Sequence, residues 1–133
     1  MKSTQREGID MIDEISPSPA LRTALAYHRA WTSGDLDAAI AYVAADIFCR
    51  APGEDIKGKD AYREYLGGFL QVFTGLTDVA ALGDGERALL FYYPHTATTS
   101  TAPAAEHFTV REGQIVESLL IFDRLSYAPP QQQ

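Results

Sequence analysis

The spacing of apolar residues in this chain changes near Leu76, and that change limits the fold more than any other feature. Before it, apart from one short extended run, apolar side chains recur every three or four residues, the period of a helix. After it they fall in extended segments cut by turn residues, the period of strands. Helices first and a meander of strands afterwards is an α+β arrangement, with the helices on one face of the sheet. At 133 residues the chain suits one domain with one sizeable core.

Ser18-Pro19 offers a hydroxyl cap followed by proline at the first helical position. Leu21, Ala24, Leu25, His28 and Trp31 then form a single stripe. Gly34 is a left-handed stop, and Asp35 can cap a second helix whose buried face is expected to be Leu36, Ala39, Ile40 and Val43. Residues 47–51 read as a short strand ending at Pro52-Gly53. A third helix follows Gly58, with Tyr62, Leu66, Phe69 and Phe73 along one side. Gly67-Gly68 within it costs roughly 1 kcal/mol per glycine relative to alanine, so close packing is expected there. Strands are expected over 76–82, 87–96, 106–110 and 114–123, separated by Gly83-Asp84-Gly85, an irregular Thr/Ala-rich stretch with Pro103, and Arg111-Glu112-Gly113. Residues 1–17 read as a polar arm in which Ile9, Met11, Ile12 and Ile15 can dock as a short helix. The domain is expected over 18–127, with a disordered tail over 128–133.

The net charge of −7 and scattered basic residues argue against nucleic acid and anionic membranes as partners. No apolar run approaches the ~18 residues of a spanning helix, and the first residues lack the apolar centre of a secretory signal. Cys49 alone can form neither an internal disulfide nor a thiolate cluster, which fits a reducing cytoplasm as the expected location. In a strand it reads as a small core residue.

Three blocks in order, AYHRAWTSGDLDAAIAYVAADI, IKGKDAYREYL and AEHFTVREGQIVESLLIFD, cover roughly residues 20–125. Together they resemble the SnoaL-like, polyketide cyclase-like members of the nuclear transport factor 2-like superfamily. The resemblance implies a cone-shaped barrel: three N-terminal helices on a strongly curved, mostly antiparallel sheet around an apolar pocket. It implies no cofactor and no single reaction, since the fold hosts enzymes and binding modules alike.

The same resemblance supplies candidate residues. Asp123 stands where SnoaL-type cyclases carry an acid/base aspartate. Strand alternation, however, puts Asp123 on the face of Leu119 and Ile121, opposite Phe122, so an exposed strand-end acid paired with Arg124 or Arg87 is the alternative. The epoxide hydrolases of this fold need an Arg and an Asp where Tyr92 and Pro94 stand, which argues against that reaction. Compared with ketosteroid isomerase, Tyr27 matches the oxyanion tyrosine and Glu106 falls near the second oxyanion acid, but Ala51 replaces the base. His28 lies on the stripe with Trp31 and can orient an oxygen. Trp31, Phe69, Tyr93, Glu106, Phe108 and Phe122 are the expected ligand-binding residues, with Asp123, Tyr27 and His28 as catalytic ones. His95, His107 and Asp123 lack the close spacing of metal ligands, so no metal is expected.

The function these residues imply is binding of a small apolar or cyclic molecule, with acid/base chemistry of cyclase or isomerase type. The alternative is a non-catalytic dimeric binding module. A homodimer is expected in either case, because Leu119, Leu120, Ile121 and Phe122 place large apolar side chains on both faces of the last strand.

Overall fold

The computed structural model describes residues 18–127, so the expected N-terminal arm and C-terminal tail lie outside the described residues. Helix α1 (Pro19–Thr32) begins as expected, with Ser18 Oγ accepting from the Leu21 amide at 3.3 Å. It buries Ala20, Leu21, Ala24, Tyr27, His28 and Trp31. After Gly34, at φ +92°, Asp35 accepts from the Ala38 amide at 3.0 Å and caps α2 (Leu36–Ile40).

Helix α2 is shorter than its spacing suggests, because Val43 already belongs to strand β1 (Val43–Ala51). Val43 is buried in either conformation, but the Ile115 amide donates to Tyr42 O at 2.8 Å and Val43 lies in register with Ile115. A helix of little more than one turn cannot compete with that ladder. Strand β2 (Glu54–Lys57) pairs back on β1 around Pro52-Gly53. With Ile56 as its single apolar residue, it carries no periodicity to read. Helix α3 (Lys59–Leu70) likewise stops before Phe73, which opens β3 (Phe73–Gly83). Gly67 meets the expectation of close packing, since a Cβ there would lie 3.3 Å from Leu36 Cδ2; Gly68 faces open space.

Strands β4 (Arg87–Thr96), β5 (Ala104–Arg111) and β6 (Gln114–Phe122) complete a six-stranded sheet of order β2-β1-β6-β5-β4-β3. All neighbours are antiparallel except β1 and β6. Register shifts in β1, β3 and the β5–β6 pair bend the sheet. It stays open, with β2 and β3 as free edges, so the closed barrel of the expectation is corrected to a curved sheet. Helix α1 lies against β3 to β6, and α3 against β1 and β2. A short helix not expected from the sequence, α4 (Arg124–Tyr127), follows β6. None of the described helices is long and apolar enough to cross a membrane.

Alternation then sorts the side chains. Ala88, Leu90, Tyr92 and Pro94 of β4, and Ala104, Glu106, Phe108 and Val110 of β5, are buried on the helix-facing side. Phe91, Leu119 and Ile121 are exposed on the other.

Candidate active site

Between α1, α3 and the concave side of β4 to β6 lies a cavity of about 70 Å³. A single water needs only ~10–15 Å³, so the space admits a small ring-sized molecule. Its wall is mostly aromatic: Tyr27 and Trp31 from α1; Tyr62, Tyr65, Leu66 and Phe69 from α3; Tyr92, Pro94, Ala104, Leu120 and Phe122 from the sheet; and Tyr127 from α4. Glu106 is the one carboxyl among these lining residues.

The helical members share faces because they recur one turn apart, and the strand members because they alternate. Glu106 is 4% exposed and lies in register between Leu90 and Leu120. Tyr92 donates its hydroxyl to Glu106 Oε1 at 2.7 Å. Burial pushes the Glu106 carboxyl up to about 7; the Tyr92 hydrogen bond opposes this and is the weaker effect.

The Tyr27 and Tyr62 hydroxyls lie 2.5 Å apart. Two hydroxyls carry two protons, and one hydrogen bond uses one of them. The remaining phenol proton is available to an incoming oxygen or to the buried Ser118 Oγ, which lies beside Tyr62 and has no other hydrogen-bond partner among the described residues. Burial holds the Tyr27, Tyr62 and Tyr92 phenols well above their usual range, with Glu106 adding to the effect, so all three stay protonated at neutral pH. A carboxyl near neutrality and a spare phenol proton thus face one apolar space. That pairing can bind a carbonyl or enol oxygen and exchange a proton with it.

The structure brings together Tyr27, Trp31, Phe69, Glu106 and Phe122 of the expected site residues. Asp123 is placed elsewhere. It is exposed, accepts from the Leu125 amide at 3.2 Å and from Ser126 Oγ at 2.8 Å, and so caps α4 instead of entering the cavity. The chain does not twist enough after Phe122 to turn it inward. His28 is buried behind the lining: its Nε2 lies 2.8 Å from Asp78 Oδ1 and its ring packs 4.8 Å from that of Tyr92. Phe108 is fully buried beneath Tyr27, 5.7 Å between ring centres, and supports the wall without lining it.

Tyr93 falls on the outer face, and the inward residue is its neighbour Tyr92, directly before it in the alternation. Tyr62, Tyr65, Tyr92 and Tyr127 are the lining aromatics that sequence reasoning did not place in the site. For Tyr92 a signal existed: it shares its strand face with Leu90, the residue in register with Glu106. His95 Nε2 lies 3.0 Å from Thr77 Oγ1, and His107 sits on the outer face between Leu89 and Leu119. The described residues contain no group of three or more acids, cysteines or histidines placed to hold a metal. Burial pushes the Cys49 thiol up to about 11, as for a core residue.

The family profile of the SnoaL-like domain matches residues 24–118. The chain belongs to that family. Among solved structures, a protein from Kribbella flavida DSM 17836 is 46% identical, with a TM-score of 0.79 over 82% of this chain and 90% of that one. A candidate polyketide cyclase from Xanthomonas campestris pv. campestris is 23% identical, with a TM-score of 0.68 over 82% of this chain and 93% of that one. A candidate ketosteroid isomerase, also from Kribbella flavida DSM 17836, is 19% identical, with a TM-score of 0.69 over 86% of this chain and 84% of that one. At these identities the last two show a shared fold. No curated protein matches the chain.

Proposed function

We propose that this protein binds a small cyclic, carbonyl-bearing molecule in the cavity and moves a proton on it without a cofactor, as an enzyme of cyclase or isomerase type. The observation that carries the reading is Glu106: a buried carboxyl in the cavity wall, pushed up to about 7, with the paired Tyr27 and Tyr62 phenols in the same wall. In its protonated form Glu106 gives its proton to the substrate's carbonyl oxygen while its other carboxyl oxygen takes the proton from the adjacent carbon, so the enol forms and the carboxyl ends protonated again; the Tyr27–Tyr62 pair supplies a second donor to that oxygen. Holding both donors in a water-poor cavity makes each worth more than in water. Shared folds with a candidate polyketide cyclase and a candidate ketosteroid isomerase support the class of chemistry.

The test is turnover of a panel of polyketide-like and steroid-like ketones. Glu106→Gln is expected to cost on the order of 10²–10⁴ in rate, while Asp123→Asn leaves it unchanged. Activity that uses the protonated carboxyl falls as pH rises through about 7. Full turnover in Glu106→Gln would remove the proton carrier and the reading with it. The second reading, a binding module without turnover, is favoured by one observation. Glu106 is the single carboxyl in the lining, so no second acid stands ready to take a proton from carbon.

A further inference from the structure

We propose that Ser118 is a positioning residue for this cavity: it lets the Tyr27–Tyr62 hydroxyl pair reverse its hydrogen bonds, so that one end of the cavity takes both carbonyl acceptors and ring N–H donors. The proposal rests on the reading of the cavity as a ligand site, and not on the proton transfer assigned to Glu106.

Strand register places Ser118 beneath the cavity wall. It shares a face of β6 with Leu120 and Phe122, which line the cavity, and stands in register with Cys49 of β1 and Phe108 of β5. Phe108 in turn supports Tyr27. Ser118 is 4% exposed, and its Oγ lies beside the Tyr62 hydroxyl and the Cys49 thiol, with neither contact closed to full hydrogen-bond geometry. A buried hydroxyl left unpaired costs ~1–3 kcal/mol, so a small turn of the side chain toward Tyr62 is favoured. Ser118, Tyr62 and Tyr27 then form one line of hydroxyls, with the last two in the cavity wall.

Such a line can run in two directions, because every hydroxyl both donates and accepts. Run inward, Tyr27 donates to Tyr62 and Tyr62 to Ser118, whose own proton points to the Cys49 sulfur, a weak acceptor. The Tyr27 oxygen then offers the cavity lone pairs alone. Run outward, Ser118 donates to Tyr62 and Tyr62 to Tyr27, and the Tyr27 proton is offered to the cavity. Both directions close the same two links, so the occupant of the cavity decides between them. A carbonyl, which only accepts, selects the outward direction. A ring N–H, which only donates, selects the inward one. Without the Ser118 hydroxyl the inward direction strands the Tyr62 proton, and burial keeps that phenol from losing it. The pair is then a donor only.

Cyclopentanone and pyrrole are the matched probes: both are five-membered rings, the ketone accepting only and the pyrrole N–H donating only. Affinities are read by calorimetry at pH 5, where Glu106, held up to about 7, is protonated with either probe. Both are expected to bind the native chain. In Ser118→Ala the ratio of pyrrole to cyclopentanone affinity falls by about fivefold, whereas Ser118→Thr, which keeps the hydroxyl, holds the native ratio. A residue that merely fills space weakens both rings alike and leaves the ratio in place. A ratio unchanged in Ser118→Ala, or moved as far in Ser118→Thr, overturns the role of Ser118 while the cavity remains a ligand site. Binding of one probe alone to the native chain means that the pair does not reverse, and overturns the proposal even if the variants fold poorly. If neither probe binds, the ligand-site reading falls and this inference falls with it.

Discussion

Glu106 carries a conflict that a single side chain can resolve only by keeping its proton. A carboxylate buried among Leu90, Leu120 and aromatic rings loses most of its hydration, and the Tyr92 hydroxyl restores one hydrogen bond. The folded chain therefore holds this proton up to about 7, whereas an unhindered glutamate releases it near 4.5. Between those values the folded state binds more protons than the unfolded one, so the contribution of Glu106 to stability falls as pH rises. The full difference corresponds to roughly 3 kcal/mol. Glu106→Gln is thus expected to stabilise the protein at pH 8 by up to about that amount and to change little at pH 4. Denaturant titrations of both proteins at each pH read the effect, and an equal difference at both would mean the carboxyl is not desolvated as described. His28 acts in the opposite direction. Burial lowers its pKa from the usual 6.5, so stability is lost as pH falls through that value, and only the comparison with the variant isolates Glu106.

At the scale of elements, the two glycines of Gly83-Asp84-Gly85 look alike in sequence and differ in their surroundings. A Cβ on Gly83 would lie 2.9 Å from Leu21 Cβ, 3.0 Å from Arg87 O and 3.1 Å from Ser18 Oγ, while on Gly85 it would meet nothing within 4 Å. Gly83 is therefore where the β3–β4 turn meets the capped start of α1. Gly83→Ala is expected to cost ~1–3 kcal/mol and Gly85→Ala much less, read as the difference in thermal midpoint. Equal midpoints would mean that the α1 start and this turn do not pack together as described. Helix α4 shows the same dependence on neighbours. Its four residues have no helical signal of their own, and they are held by the Asp123 cap, by Tyr127 donating to Ala102 O at 2.5 Å, and by Thr98 donating to Ser126 O at 3.0 Å. Ala102 and Thr98 come from the irregular connection between β4 and β5, so apart from the Asp123 cap nothing adjacent in sequence announces the helix that brings Tyr127 to the cavity.

Across the whole molecule, the convex side of the sheet carries two apolar rows in register. Leu82, Leu89, His107 and Leu119 form one, and Ala80, Phe91, Ala105 and Ile121 form the other. Leu82 is 61% exposed and Ile121 58%, far from the helices that cover the concave side. A second copy laid on the same rows would bury them on both chains at once, as a two-fold interface requires. Light scattering at micromolar concentration is expected to give twice the chain mass, and Leu119→Lys with Ile121→Lys to halve it. A native chain that stays monomeric would leave these rows without a partner of their own kind.

The order of helices and strands, the caps at Ser18 and Asp35, the turn at Arg111-Glu112-Gly113 and the two-sided apolar character of β6 were legible in the sequence, because each depends on neighbours a few residues away. Tyr27, Trp31 and Glu106 were also within reach, through a helical stripe and a family resemblance. Asp123 shows where such reading stops: its alternation placed it outward, its family position suggested inward, and the fold used it as a cap. Which carboxyl is desolvated, which phenol proton is left over and which glycine is crowded depend on residues brought together from α1, α3, β4 and β5. Desolvation and packing act through space, so those features were decided only when the sheet curved around the helices.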